Sequence, residues 1–325
     1  MLDKTILIGA GFSSAVLSRL IKYKNLTIFD KARGPGGRSS TRRVDKIGVF
    51  DHGLQFISPE NVEFTKFLDS NLQGHIKKWE GDFIDFDNGQ KLIDKKNTKY
   101  IGINGNSDFV KNLISVQSFY EKELISINRS DNLWTLQFKD KSIEKCSSLI
   151  LTIPFEQCQK IIKPLNIPLK FNGNMEPNLT TMIALNKNLS LLTSGFKFTK
   201  NSILGWAANE TSKLRPNNND QLELWTLQSS TSFAKKKHKN YKIEKKEIMN
   251  LMISEFFRVF NITDIDVVHG DIHGWLYAFK KENFLQNFYW NKEMKLGICG
   301  DWMCGPKAED AWNSASKLAD QINNS

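Results

Sequence analysis

Cysteine is scarce in this chain: Cys146, Cys158, Cys299 and Cys304 are the only four among 325 residues. None sits at disulfide-framework or metal-ligand spacing, so the set reads as reduced thiols of a cytoplasmic protein. Long hydrophobic runs are also missing. The longest stretches are strand-sized, which excludes a membrane-spanning helix. Met1-Leu-Asp-Lys leads into the first apolar run without a leader pattern. No internal repeat or low-complexity linker breaks the chain, although Pro216-Asn-Asn-Asn-Asp220 marks an exposed loop. No Ser-His-Asp or Cys-His set for nucleophilic catalysis is present. Acidic residues are outnumbered, 35 against 45 basic, giving a formal charge of +10. The lysines are scattered except for the run 235–246, and no nucleic-acid-reading motif accompanies them. That run reads as a solvated approach to a helix, so neither nucleic acid nor membrane is an expected partner. The positive field favours anionic small molecules in general.

What is present begins at residue 5. Ile6, Leu7 and Ile8 form a continuous apolar run, the pattern of a parallel strand covered on both faces. Gly9 allows a tight turn, and Gly11 lets backbone N–H groups approach a pyrophosphate. A helix from Ser13 to about Lys22 aims its positive end at that pyrophosphate. The third small position is Ser14 instead of glycine. A second strand, Leu26 to Asp30, ends in an acid 19 residues after Gly11, where a carboxylate accepts hydrogen bonds from a ribose diol.

Directly after that acid comes Lys31-Ala-Arg-Gly-Pro-Gly-Gly-Arg38-Ser-Ser-Thr-Arg-Arg43, a loop for which an NAD site has no use. Proteins that hold a whole FAD use such a loop to place an arginine on the pyrophosphate. Phe50-Asp-His-Gly-Leu-Gln-Phe56 follows, with Gly53 where backbone could lie against a flavin ring. Near the other end, Lys295 to Trp302 is a buried strand closing in Gly300-Asp301, followed by a helix from about Ala308 to Ile322. The three segments point to FAD.

The pattern extends through Lys99-Tyr-Ile-Gly-Ile-Asn-Gly105, Gly205-Trp-Ala-Ala-Asn-Glu-Thr-Ser-Lys213, His273-Gly-Trp-Leu-Tyr-Ala278 and Gly300-Asp-Trp-Met-Cys-Gly-Pro306. Along nearly its whole length the chain resembles the renalase-like flavoproteins, within the larger amine-oxidase and hydroxybenzoate-hydroxylase fold group. Ser14, Leu54 and Asn104-Gly105 depart from that family's usual residues. The resemblance implies an α/β fold: a discontinuous Rossmann-like FAD-binding domain and a smaller α+β substrate domain with a mixed or antiparallel sheet. The first takes residues 1–75, 104–154 and 291–325; the second takes 76–103 and 155–290. It implies FAD held without a covalent bond, which makes Cys304 a bystander. Cofactor contacts are expected at Gly9, Gly11, Phe12, Ser13, Ser14, Asp30, Lys31, Gly37, Arg38, His52, Gly53, Leu54, Gln55, Gly300, Asp301, Glu309 and Ala311.

Secondary structure follows from the patterns. Helices are expected at 60–72, 108–115 and 244–260, and a strand meander at 119–145. Short strands are expected at 83–86 and 91–93 around the turn 87–90, with a buried strand at 149–153. Further strands fall at 179–186, 203–208, 222–228 and 272–279.

Flavin oxidation leaves the hard chemistry to the cofactor, so no acid–base dyad is required. His52 is either a polar contact or proton relay at the flavin, or a packed histidine. Gln55 is a substrate-side hydrogen-bonder if its face permits. Trp206, Trp225, Trp275 and Tyr277 are either an aromatic wall for a flat substrate or core. Asn209 and His273 either orient an amide or make ordinary strand-end hydrogen bonds. The resemblance implies oxidation of misreduced 2- and 6-dihydro isomers of NAD(P)H, with oxygen as acceptor. Amine oxidation is the second enzyme reading, and a flavin-bound interaction protein or basic nucleic-acid binder the non-catalytic one.

Overall fold

Two sheets divide the polypeptide, and the segment between Arg38 and Gln55 lies where they meet. The computed structural model describes residues 3–22, 25–87, 91–92, 97–165, 167, 174–189, 191–280 and 286–324. The six-stranded sheet runs in the order Tyr289–Asn291, Leu296–Ile298, Ser148–Leu151, Thr5–Ile8, Leu26–Phe29, Gln117–Phe119. All its pairings are parallel except that of the first-named strand. Its central strands are buried at every position and largely apolar because both faces are covered. Leu7, Ile28 and Ile150 pack under the helices Phe12–Leu20, Val62–Leu72 and Ala308–Asn323. Ile6, Ile8, Leu149 and Leu151 face Trp134, Leu136 and Phe138 of a three-stranded antiparallel sheet, and the helix Phe155–Ile162.

The seven-stranded sheet runs Val267–Phe279, Glu176–Leu185, Glu223–Ser229, Leu204–Asn209, Thr193–Lys197, Asp82–Asp85, Lys91–Leu92. It is antiparallel except where Thr193–Lys197 lies parallel to Asp82–Asp85. One face packs on the helix Lys245–Val259 through Leu179, Ile183, Trp225, Leu227 and Phe256. The other face carries His273, Thr180, Gln228 and Trp206, cross-strand neighbours in one row. Residues 52–56 run across that row.

Several expectations need correction. The stretch 108–115 forms only the single turn Asp108–Lys111. There Asn112 bends its amide back onto the Asp108 carbonyl at 3.0 Å, the local competition by which Asn ends helices. The strand expected at 272–279 begins at Val267, because it stays paired with Glu176–Leu185 over that strand's whole length, Val267 with Leu185 and Phe279 with Glu176. The strand Thr193–Lys197 and the helices Phe155–Ile162 and Thr231–Lys237 were not foreseen. Of the turn 87–90 and the strand 91–93, residues 88–90 and 93 lie outside the described residues. The basic run is solvated and paired: Lys235 with Glu176, Lys237 with Glu244 and Glu247, Lys245 with Asp271.

Candidate functional site

The turn after the first strand is shaped for a phosphate. Gly9 has φ +107°, and a Cβ there would stand 2.7 Å from Thr152 Oγ1, so only glycine fits. Gly11 caps the helix Phe12–Leu20 without a side-chain hydrogen bond, leaving the N–H groups of the first turn uncapped. A Cβ built on Gly11 meets nothing within 4 Å. Gly37 lies against it, its own Cβ position 3.1 Å from Gly11 Cα, and the Gly36 N–H reaches the Ala10 carbonyl at 3.0 Å. Asp30 fixes the second strand end by accepting from Ala10 N–H at 2.5 Å and Ala32 N–H at 2.6 Å. Its remaining lone pairs suit ribose hydroxyls. Ser14 places its hydroxyl 2.8 Å from that of Thr152, so the serine ties helix to strand where glycine would merely allow approach. An uncapped helix end, open space at Gly11 and a tethered carboxylate fit the ADP half of FAD.

Arg38 joins the remaining segments. Its guanidinium makes a bidentate pair with Asp301 at 2.5 and 2.7 Å and donates to the Ala278 carbonyl at 3.1 Å. Its own carbonyl accepts from Leu54 N–H at 2.9 Å. Gly53 sits so close that any Cβ would collide with that carbonyl. Gly300 donates to Ser314 Oγ at 3.0 Å, holding the Gly-Asp turn on the last helix. The glycine loop, the bend 51–55, the acid Asp301 and the seven-stranded sheet thus meet at the Arg38 residue.

Behind the bend lies a feature sequence reasoning missed. Asp51, Glu210, Lys213 and Arg215 form a quartet of charges whose side chains are all 0% exposed. Asp51 Oδ2 accepts from Lys213 at 2.8 Å and Arg215 at 2.5 Å. Glu210 Oε2 accepts from the same two cations at 2.9 and 3.1 Å. Asp51 Oδ1 takes the Asn106 N–H at 2.8 Å and the Thr41 hydroxyl at 2.9 Å. Burial works to raise the Asp51 pKa, but Arg215 and Lys213 outweigh it and hold the carboxyl well below its usual range. Burial and the Asp51 charge push Glu210 up. Trp79 stacks over Lys213, whose ammonium is 4.7 Å from the ring centroid. The acid at 210 followed by cations three and five residues later is the one local signal that could have suggested pairing.

On the sheet side, His52 packs edge-on to His273 at 4.8 Å and parallel to Trp275 at 5.3 Å. The Trp275 indole donates to the His52 carbonyl at 2.8 Å. Burial, aided by His273 and Arg42, pushes the His52 pKa down to about 3. Burial and Arg42 push His273 down to about 4. Both imidazoles are therefore neutral at neutral pH. His52 Nδ1 is buried without a protein partner. Trp206 joins Phe56, Phe83 and Trp79 in an aromatic group, and its buried indole nitrogen also lacks a protein partner.

Other candidates lie elsewhere. Trp225 is on the helix-facing side of the sheet, 0% exposed against Phe196 and Phe256, and is core. Asn209 spends its amide on Glu223 at 3.0 Å and on Ser212 N–H at 3.1 Å, the strand-end role. Gln55 turns inward, donating to the Asp51 and Gly53 carbonyls, so its amide faces the charge quartet and not a substrate. Tyr277 packs beside the core of Phe155 and Trp302. Phe12 is core against Phe64, and Lys31 is exposed. Ser13 donates to the Ala311 carbonyl at 3.5 Å, and Glu309 accepts from Glu60 N–H at 2.8 Å. Leu54 packs beside the first core and contributes its backbone. The Cys304 thiol rests on Asn287, and burial pushes it up to about 11, which keeps it from acting as a thiolate.

A family of NAD(P)-binding Rossmann-like domains matches residues 7–70. Among solved structures, the chain is similar to a candidate protoporphyrinogen oxidase from Exiguobacterium sp. 255-15, with TM-score 0.76 at 10% identity over 99% of each chain. It is similar to an oxidoreductase from Methanosarcina mazei, with TM-score 0.67 at 13% identity over 98% of this chain and 100% of that one. Putrescine oxidase bound to putrescine gives TM-score 0.64 at 9% identity over all of both chains. At these identities the likeness is one of fold. The chain therefore opens on a Rossmann-like dinucleotide-binding unit and has, over almost its whole length, the fold of these oxidoreductases.

Proposed function

We propose that this protein is an FAD-dependent oxidoreductase that oxidises dihydronicotinamide isomers of NAD(P), the 2- and 6-dihydro forms, with dioxygen as final acceptor. The observation that carries the reading is the convergence on Arg38 of the glycine loop, the 51–55 bend, Asp301 and the strand Val267–Phe279. The uncapped helix end at Gly11 would hold the pyrophosphate, Asp30 the adenosine ribose, and Arg38 with Asp301 the ribityl end. A bound FAD supplies a two-electron hydride acceptor.

The protein's own part is positioning and exclusion of water. Trp275 fixes the His52 carbonyl, and Gln228 fixes that of Gly53 at 2.7 Å. The neutral imidazoles of His52 and His273 favour a dihydropyridine over an amine. A dihydropyridine gives up hydride without first losing a proton. An ammonium substrate must be deprotonated, and imidazoles with pKa values of about 3 and about 4 are poor bases for that step. The neutral pair also avoids repulsion of the cationic pyridinium product.

The test is an anaerobic screen of the FAD-loaded protein against 2- and 6-dihydro isomers of NAD and NADP, ordinary NADH, and diamines. Bleaching of the oxidised-flavin band by the isomers alone supports the proposal. Bleaching by diamines alone turns the assignment to amine oxidation, and bleaching by none of them removes the catalytic reading.

A further inference from the structure

The bend 51–55 has an asymmetry that the cofactor contacts alone do not require. Each of its five carbonyls accepts a side-chain hydrogen bond. Gln55 serves Asp51 and Gly53, Trp275 serves His52, Gln228 also serves Gly53, and Asn106 serves Leu54 and Gln55 at 2.7 and 2.8 Å. Of its N–H groups, Asp51 donates to Glu210 and Leu54 to Arg38. That of His52 continues the hairpin ladder toward the Ser40 carbonyl, as the pairing of Thr41 with Asp51 requires, while those of Gly53 and Gln55 donate to no protein acceptor among the described residues. Backbone donors in a folded interior are almost always paired, so two unpaired ones within three residues mark a place where an external acceptor is expected.

The quartet explains how the bend keeps this state. Asp51 is engaged at its N–H, its carbonyl and both carboxylate oxygens, through Glu210, Gln55, Asn106, Thr41, Lys213 and Arg215. A buried set of two acids and two bases is poor value for stability compared with apolar packing, yet it defines one geometry sharply. Asp51 ends a strand of the two-stranded hairpin and the other three follow the strand Leu204–Asn209, so the quartet also fixes the bend relative to the seven-stranded sheet.

We propose that Asp51, Glu210, Lys213 and Arg215 are positioning residues. They hold the Gly53 and Gln55 N–H groups as preorganised donors to the acceptor edge of the flavin, its ring nitrogens and carbonyl oxygens. This rests on the flavin reading above. Donors fixed where electron density rises on reduction stabilise the reduced ring and cost no reorganisation. A looser bend lowers the reduction potential and slows reduction without weakening substrate binding.

The experiment uses the full chain loaded with FAD. The variants are Glu210→Gln combined with Lys213→Met, which removes one charge of each sign, and Gln228→Met, which removes one of the two hydrogen bonds on the Gly53 carbonyl and leaves the quartet intact. The reduction equilibrium of the double variant is expected to shift about tenfold toward oxidised flavin, or roughly 30 mV for two electrons. Gln228→Met shifts it the same way by less. The flavin reduction rate falls in both while the substrate dissociation constant holds. Potentials equal to wild type in folded variants overturn the proposal; if the double variant does not fold, Gln228→Met alone decides. Wild-type protein that binds no FAD overturns the flavin reading itself, a result read before any variant is compared.

Discussion

Acidification is the most informative perturbation of the histidine group. His52 is 6% exposed, and its pKa is about 3 in the folded chain. In the unfolded chain an imidazole titrates at about 6.5. The folded value is depressed for a base, so between those values the unfolded chain binds the proton and the folded chain does not. Stability is then full above the unfolded pKa and falls as pH drops toward the folded one. Integrating that difference from pH 7 to pH 5 gives a loss of about 2 kcal/mol from His52 alone. His273, pushed to about 4, acts in the same direction. Asp51 stays ionised across the window because its carboxyl is held low. The assay is urea unfolding of the FAD-free chain at pH 7, 6 and 5, followed by tryptophan fluorescence, for wild type and His52→Asn. Wild type should lose about 2 kcal/mol more than the variant over that range. Equal losses, or an NMR titration of His52 near its unfolded pKa, refute the reasoning.

Three further outcomes follow from the same geometry. Asp51→Asn leaves two buried cations facing one carboxylate and should cost about 3–5 kcal/mol in urea unfolding. Trp225→Ala empties a site between Phe196 and Phe256 and should cost a similar 3–5 kcal/mol or so, while the visible spectrum of bound flavin stays as in wild type. Gly53→Ala forces a methyl onto the Arg38 carbonyl. Fluorescence titration should then show FAD affinity weakened by about tenfold or more.

The first two parallel strands and the last were legible because apolar residues dominate both of their faces, which only a doubly covered strand tolerates. The glycine turn and Asp30 were legible because each is a local backbone requirement. Trp225 and Trp206 were not separable, since alternation along a strand tells that two faces exist but not which one a helix covers. Gln55 was misjudged for the same reason: its partner, the buried quartet, is assembled across roughly 160 residues of chain. Charged residues such as Lys213 and Arg215 read as surface in any local window, and only the packing of the hairpin strand Gly48–Asp51 on the seven-stranded sheet brings them to Asp51. Thr193–Lys197 escaped notice because its centre is Gly195, whose missing side chain makes room for the Trp206 ring.

The most direct test of the central claim is an anaerobic titration of FAD-loaded protein with the 6-dihydro isomer of NAD(P). The account predicts stoichiometric loss of the oxidised-flavin band and its return on admitting oxygen, with hydrogen peroxide formed. A flavin that binds at Gly11, Arg38 and Asp301 yet keeps its band through the titration, as it should with ordinary NADH, contradicts it.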